Sequence, residues 1–232
     1  MLSALGFLTV LGGARTPDRD TLRWFPLVGG LIGALLAGTW LVAVELWSPG
    51  VAAVLVVGAD LAVTGLLHAD GLADSADGLL PHLDHDRRLA VMAAPDVGAF
   101  ALAVVPVVLL ARWAALAGDL VEPLALVGVW AASRTVLAVI PALVPYARTG
   151  GLASAMLPGA TAWTAVWLAP ALGVLVIAQG LNGAAALTAL VLASLAVVGF
   201  ARRRIGGFTG DVLGATAMLA ETAALLALAA RL

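Results

Sequence analysis

The sequence predicts an all-α membrane protein, a polytopic bundle of about seven transmembrane helices. Hydrophobic residues make up 62% of its 232 positions, and the mean hydropathy is +1.08, whereas soluble domains are roughly 45–50% apolar. Seven apolar windows are each long enough to cross a hydrocarbon core of about 30 Å. They cover residues 27–46, 51–67, 97–117, 121–144, 162–180, 183–200 and 212–230.

Residues 1–13 form an apolar run that is too short to cross the bilayer. No basic residue precedes this run, whereas a secretory signal peptide carries its basic residues before the apolar stretch. We therefore expect a short interfacial or re-entrant segment, not a cleaved signal. No repeat of fixed period and no linker interrupts the chain, so we expect a single domain over residues 1–232.

The connections between windows predict the orientation in the membrane. Those at 47–50, 118–120 and 180–182 are short, whereas 68–96, 145–161 and 201–211 are long and polar and alternate to one side. That side carries nine arginines: Arg15, Arg19, Arg23, Arg87, Arg88, Arg148, Arg202, Arg203 and Arg204. The opposite side carries only Arg231. Because cytoplasmic loops are enriched in basic residues, we expect a multi-pass protein of the cytoplasmic (inner) membrane with its polar face in the cytoplasm.

The most informative stretch is HADGLADSADG at 68–78, which puts a histidine and three carboxylates where an apolar window ends. In a helix, Asp70, Asp74 and Asp77 fall on one face, at i, i+4 and i+7. Like charges repel unless a cation lies among them, and Mg²⁺ takes carboxylate oxygens while leaving positions for water and phosphates. The stretch predicts a site for Mg²⁺ and phosphate; the alternative is a solvated, capped helix start.

A second polar stretch, RRRIGGFTGD at 202–211, precedes the last apolar window. Arginines bind phosphate, glycines let backbone N–H groups approach it, and a following helix adds its positive dipole. The predicted phosphate contacts are Arg202, Arg203, Gly207, Thr209 and Gly210. Asp211 would either cap the helix or supply a further metal ligand. Alone, the stretch also fits a turn with arginines that set the topology.

Charges inside the apolar windows give a third signal. Asp60, Arg134 and Glu221 lie near the middle of their windows, where each costs roughly 2.5–3.5 kcal/mol on insertion scales and therefore needs a partner or water. We expect Arg134 to pair with Asp60 or Glu221, in a role that is either structural or cavity-lining. Arg112 lies toward the outer end of its window, where we expect its side chain to extend to the membrane surface.

Composition also excludes several classes of site. The chain has no cysteine, which excludes disulfides, thiolate metal sites and cysteine nucleophiles. Its net charge of −2 argues against nucleic acid as a partner. His82 and His85 lack further ligands at zinc spacing, so we assign them to a solvated connector.

Four ordered stretches resemble the adenosylcobinamide-GDP ribazoletransferase family. They are WFPLVGGLIG at 24–33, HADGLADSADG at 68–78, SR at 133–134 leading to PYAR at 145–148 and GL at 151–152, and GGFTGDVLG at 206–214. Many members have a basic and an acidic residue after a methionine, where this chain has Met92 followed by Ala-Ala-Pro-Asp. We expect that any phosphate contact made by the basic residue in those members is either absent here or supplied elsewhere, with Arg87 and Arg88 as the candidates.

The resemblance implies transfer of adenosylcobinamide phosphate from adenosylcobinamide-GDP to α-ribazole or its 5′-phosphate, with release of GMP and a requirement for Mg²⁺. In this interpretation the metal ligands are Asp70, Asp74, Asp77 and Asp211. His68 or one of the aspartates of 70–77 takes the proton of the attacking hydroxyl. Arg134 joins the phosphate contacts of 202–210. Because the corrinoid is large, we expect a wide cytoplasmic cavity between the helices.

Two alternatives stay open at this point. A CDP-alcohol phosphotransferase would also bind Mg²⁺ between aspartates, but its motif has Ala-Arg after Asp-Gly, whereas Ala73 is followed here by Asp74. A secondary transporter would use the intramembrane charges, but it should also show repeat symmetry. We rank both below the transferase. Small residues throughout the windows would permit association into homo-oligomers.

Overall fold

The computed structural model of the chain describes residues 1–13, 16–18, 20–118, 120–148, 150, 152–157 and 161–231. Arg15, Arg19 and Gly151, which entered the orientation and resemblance arguments, lie outside the described residues. Those residues form nine α-helices and no β-strand: α1 Leu2–Leu8, α2 Phe25–Leu46, α3 Pro49–Val63, α4 Leu67–Leu79, α5 His85–Val91, α6 Ala99–Ala117, α7 Pro123–Leu143, α8 Leu168–Ile205 and α9 Gly210–Leu228. Short 3₁₀ turns cover Val10–Gly12, Leu22–Trp24, Leu152–Met156 and Ala162–Trp167.

The predicted polytopic helical bundle is confirmed. Within the described residues, five helices are long and apolar enough to cross a membrane, and the bent pair α3–α4 makes a sixth if it counts as one span. The longest helix, α8, has non-helical dihedral angles at Gln179 and Gly180, close to the predicted boundary at 180–182. Counting its two halves separately gives the seven predicted spans.

The window at 51–67 is not the one straight helix that its apolar pattern predicts. Helix α3 ends at Val63, and α4 leaves it at 87°. Gly65 and Leu66 both have positive φ values, of 57° and 62°, and two such residues in succession end a right-handed helix. The bend turns the acidic stretch away from the axis of α3 and lays it against α9 and α6.

Close packing of α2 against α7 depends on Gly29 and Gly33. A Cβ atom at Gly29 would meet the Trp130 carbonyl and the Arg134 side chain, and one at Gly33 would meet the backbone of Leu126 and Val127. Helices in a bilayer associate through such close backbone contacts, because lipid tails are as apolar as the helices themselves. The glycines of the stretch at 24–33 therefore have a packing role.

A buried network of four charged side chains joins α3, α6, α7 and α9. Arg112 donates to Asp60 at 2.8 Å and to Glu221 at 2.7 Å, and Arg134 donates to Glu221. Trp130 donates to the other oxygen of Asp60 at 2.9 Å, and all four charged residues are buried. Two arginines balance two carboxylates, so the network carries no net charge.

The network confirms one expectation about the intramembrane charges and overturns another. Arg134 pairs with Glu221, as expected. Arg112 does not extend to the membrane surface: its side chain is only 2% exposed and also donates to Thr222 Oγ1 and the Met218 carbonyl. With two carboxylates and two further acceptors beside it, the guanidinium is better solvated inside the bundle than at its edge.

The connector after α4 contains a helix that the sequence pattern did not predict, the short α5. Asp84 caps it by accepting the Arg87 N–H at 2.8 Å. Arg88 is buried and donates to the carbonyls of Gly78 and Leu79, both at 2.9 Å. Of the two candidates for a phosphate contact, Arg88 is therefore engaged by the last carbonyls of α4. Arg87 is exposed.

We predict that Arg112→Met destabilises the protein by about 3–5 kcal/mol, because Asp60 and Glu221 would be left buried without their shared cation. Thermal unfolding of the purified protein in detergent measures this. The matched control Arg87→Met removes an exposed arginine and should change stability by less than about 0.5 kcal/mol. Equal melting temperatures for the two variants would contradict a stabilising role of the network.

Candidate active site

The acidic stretch is helical, the conformation in which its spacing puts three carboxylates on one face, and these carboxylates have different environments. In α4, Asp70 is exposed, Asp74 is partly buried and Asp77 is buried. Three like charges along one helix face repel one another unless other groups compensate them. Among the described residues, Asp77 has hydrogen-bond partners, whereas Asp70 and Asp74 have none.

The Asp77 carboxylate accepts hydrogen bonds from three backbone N–H groups. One of its oxygens accepts the Gly98 N–H at 2.6 Å, and the other accepts the N–H groups of Phe100 and Ala101 at 3.1 Å. These donors belong to the first turn of α6, which has no partner for them within its own helix. Asp77 thus caps α6 from α4, so we do not retain its assignment as a metal ligand and catalytic residue.

Two glycines bring α4 and α9 into backbone contact. A Cβ atom at Gly71 would lie 2.8 Å from the Asp211 carbonyl oxygen and 3.0 Å from Gly214 Cα, and one at Gly214 would lie 3.1 Å from Gly71 Cα. Neither position has room for a side chain. The contact places Asp70 of α4 and Asp211 of α9 at the same cavity.

The stretch before α9 pairs with the segment that follows α7. The Phe208 N–H donates to the Pro145 carbonyl at 3.0 Å, and the Ala147 N–H donates to the Phe208 carbonyl at 2.8 Å. This short parallel pairing brings Arg148 to Asp211, with 2.9 Å between Nη2 and Oδ2. Two of the stretches that carry the family resemblance are therefore one structural unit.

Arg148, Tyr146 and Gly214 line the site, although the sequence pattern predicted no role there for them. All three lie in the matching stretches, which were the available signal. Burial raises the pKa of the Tyr146 phenol, against the opposing effect of the Arg148 charge. The phenol therefore stays a neutral donor, and it donates to the Gly150 carbonyl at 3.1 Å.

The cavity between α4 and α9 has a volume of about 270 Å³, and the side chains that line it fall by chemistry into a polar set, its polar half, and an apolar set, its apolar half. Its polar half consists of His68, Asp70, Tyr146, Arg148 and Asp211. Its apolar half consists of Phe7, Leu8, Phe25, Leu67, Leu137 and Leu213. This cavity by itself is smaller than the wide cavity expected, since pockets that hold drug-sized ligands range over roughly 300–1,000 Å³. A second pocket of about 560 Å³ shares Arg148 with it.

The predicted phosphate-binding residues divide into three groups. Gly210, the first residue of α9, lines the cavity. Thr209 caps α9 by accepting the Val212 N–H at 3.2 Å, and Gly207 lies against the Pro145 carbonyl. Arg202 and Arg203 are exposed at the end of α8 and do not line this cavity.

Arg134 and His68 lie deeper than expected. Arg134 is fully buried and bound to Glu221, and it does not line the cavity. Its Nε and Nη2 atoms have no hydrogen-bond partner among the described residues. His68 is 5% exposed and forms part of the cavity floor, close enough to interact electrostatically with Arg134. Arg134 is thus placed to act on the floor of the site and not on a bound phosphate.

The donor set of the cavity fits Mg²⁺ bound together with phosphate. Within the part of the chain that the structure describes, no group of three His, Asp or Glu side chains is arranged to hold a metal alone. Mg²⁺ commonly uses one or two carboxylates plus substrate phosphates and waters. The negative charges of Asp211, Asp70 and Asp77 act on Asp74, and only Arg148 opposes them. A divalent cation would compensate this excess.

Comparison with known proteins gives a consistent result. The family model described as "Cobalamin-5-phosphate synthase" matches residues 1–229. The chain is 40% identical over 220 residues to proteins named adenosylcobinamide-GDP ribazoletransferase from Brucella ovis, Brucella canis and Brucella melitensis. Each match covers 89% of this chain and 84% of the relative. No solved structure matches.

We predict that Asp77→Ala lowers stability by about 0.5–2 kcal/mol, because the first turn of α6 loses its cap. Asp77→Asn retains an acceptor oxygen and should lose less. Thermal unfolding in detergent checks both, with Asp96→Ala as the control because that carboxylate is exposed in the same connector. If Asp77→Ala and the control had the same melting temperature, the capping role would be refuted and Asp77 would be free for another role.

Proposed function

The chain belongs to the cobalamin-5-phosphate synthase family, and from this premise we propose that it is an adenosylcobinamide-GDP ribazoletransferase whose reaction takes place in the cavity between α4 and α9. The observation that carries the proposal is that Asp70 and Asp211 from two helices meet Arg148 at one cavity. Family membership favours neither a CDP-alcohol phosphotransferase nor a transporter.

The proposed reaction is a phosphoryl transfer between two bound substrates. A hydroxyl of α-ribazole, or of its 5′-phosphate, forms a bond to the phosphorus nearest cobinamide in adenosylcobinamide-GDP. The bond from that phosphorus to the bridging oxygen breaks, and GMP leaves with the bond electrons. Catalysis of this kind is mostly positioning and charge stabilisation.

The residues of the polar half can position the phosphates and stabilise their charge. Arg148 presents a guanidinium that can hold phosphate oxygens while it stays beside Asp211. Gly210 puts the start of α9, with its positive dipole, at the cavity. The proton of the attacking hydroxyl goes to Asp70 or His68, the two proton acceptors on the α4 side of the cavity.

We propose that carboxylates among Asp70, Asp74 and Asp211 hold Mg²⁺ together with the phosphates of the substrate. When bound, the ion neutralises phosphate oxygens and the charge that develops on the leaving group. The excess negative charge around Asp74 supports this assignment. Asp77 is left out, because backbone donors occupy both of its oxygens.

We also propose that this face of the protein lies in the cytoplasm. The arginines of the long connections, including Arg202 and Arg203 at the end of α8, support this orientation. Their exposed charges are suited to attract the pyrophosphate of adenosylcobinamide-GDP, whose larger part stays outside the small cavity. Self-association of the chain stays a prediction.

We predict that purified protein in nanodiscs forms GMP and a cobalamin from adenosylcobinamide-GDP and α-ribazole with Mg²⁺, and that EDTA stops the reaction. Asp74→Ala should lower turnover about 100-fold or more, the size of effect seen when a charge-stabilising group is removed. Chromatography of both products measures it, with Asp96→Ala as the matched control. Full activity in EDTA would refute the metal assignment, and absence of product from folded wild-type protein would refute the proposed function.

We further predict that Gly71→Ala lowers turnover about 10- to 100-fold, because a methyl group between α4 and α9 would separate Asp70 from Asp211. The same assay measures this, together with the melting temperature to show that the fold is retained. Gly58→Ala is the control, since its added methyl group in α3 would meet open space. Equal activity of both variants would show that the approach of the two helices does not set the site geometry.

A further inference from the structure

We propose that the apolar half of the cavity binds the aromatic base of the nucleoside acceptor, with Phe7 and Phe25 as specificity-determining residues. The proposal rests on the proposed function and deepens it. It assigns the enclosed cavity to α-ribazole and leaves the corrin ring outside.

The N-terminal segment supplies the first observation. Helix α1 packs on α2, and the rings of Phe7 and Phe25 stack with centroids 5.9 Å apart and planes 21° from parallel. Phe25 is buried, whereas Phe7 is partly exposed. Both line the cavity and belong to its apolar half. An aromatic pair with one accessible ring is a surface on which a planar base can stack.

The volume of the cavity decides which of the two substrates can enter it. A cavity of about 270 Å³ lies just below the range of roughly 300–1,000 Å³ that holds drug-sized ligands. A nucleoside is close to that size, whereas the corrin macrocycle with its side chains is several times larger. The smaller substrate therefore enters and the larger one presents its phosphates at the mouth.

The polarity of the apolar half decides which base fits there, the guanine of adenosylcobinamide-GDP or the base of α-ribazole. Guanine carries donors and acceptors along its edges, and burying them without partners is costly. The side chains of the apolar half are phenylalanines and leucines, which offer no partners. The benzimidazole base of α-ribazole has a fused hydrocarbon ring and no N–H donor once the ribose is attached. This base fits the apolar half, and its ribose then faces Asp70 and His68.

The test measures the Michaelis constant for each substrate separately. Phe7→Ala should raise the KM for α-ribazole about tenfold or more, as expected from the loss of an aromatic contact and its buried area. The KM for adenosylcobinamide-GDP should change less than about twofold. Phe7→Leu retains apolar area and should fall between Phe7→Ala and wild type. Phe100→Ala, an exposed phenylalanine on α6, is the control and should match wild type.

Two kinetic outcomes would overturn the proposal. An unchanged KM for α-ribazole in Phe7→Ala would remove Phe7 from the acceptor site. A selective rise in the KM for adenosylcobinamide-GDP would place that substrate in the cavity instead. Phe25→Ala is the second variant, but Phe25 is buried and the result counts only if its melting temperature stays near that of wild type.

A binding measurement separates this proposal from the proposed function. Calorimetry with α-ribazole alone needs no turnover. Even if wild-type protein formed no product, weaker α-ribazole binding by Phe7→Ala than by Phe100→Ala would support the acceptor subsite. Equal binding by the two variants, in a protein that turns over, would overturn the subsite while the transferase activity stands.

Discussion

The buried network of Asp60, Arg112, Arg134 and Glu221 is the interaction on which the rest of the structure depends. It joins α3, α6, α7 and α9 in a region where an unpaired charge is costly. Helix α3 leads into α4, which carries Asp70, and α9 carries Asp211. The network therefore holds α9 directly and reaches α4 through the bend that follows α3.

The acidic residues differ in how many hydrogen-bond and ion-pair partners the chain provides for their carboxylates. Asp60 and Glu221 are paired with arginines, and Asp77 accepts three backbone donors. Within the described residues, Asp70 and Asp74 have no such compensation, and Arg148 is the positive charge that opposes their repulsion with Asp211. Carboxylates left unsatisfied beside a cavity can receive a cation and phosphate, whereas satisfied ones hold the fold together.

Much of this arrangement could be predicted from the sequence, for identifiable reasons. Hydropathy predicted the helical membrane bundle, and the aspartate spacing indicated that a helix would put Asp70 and Asp74 on one face. The partners of Asp77, Arg88 and Arg112 could not be predicted, because each is a contact between separate elements. The bend at Gly65 and Leu66 was missed for another reason: Leu66 takes a backbone conformation that leucine rarely adopts.

The packing of α4 on α9 has a consequence for how the protein is made. Helix α4 leaves the ribosome early, whereas α9 is the last helix of the described chain. Until α9 enters the bilayer, the Gly71 face of α4 has no neighbour there, and the cavity lacks the wall that Asp211, Leu213 and Gly214 supply. A chain cut short before Gly210 would retain most of its membrane spans but would lack the α9 side of the cavity. Insertion of α9 is thus the step that completes the site.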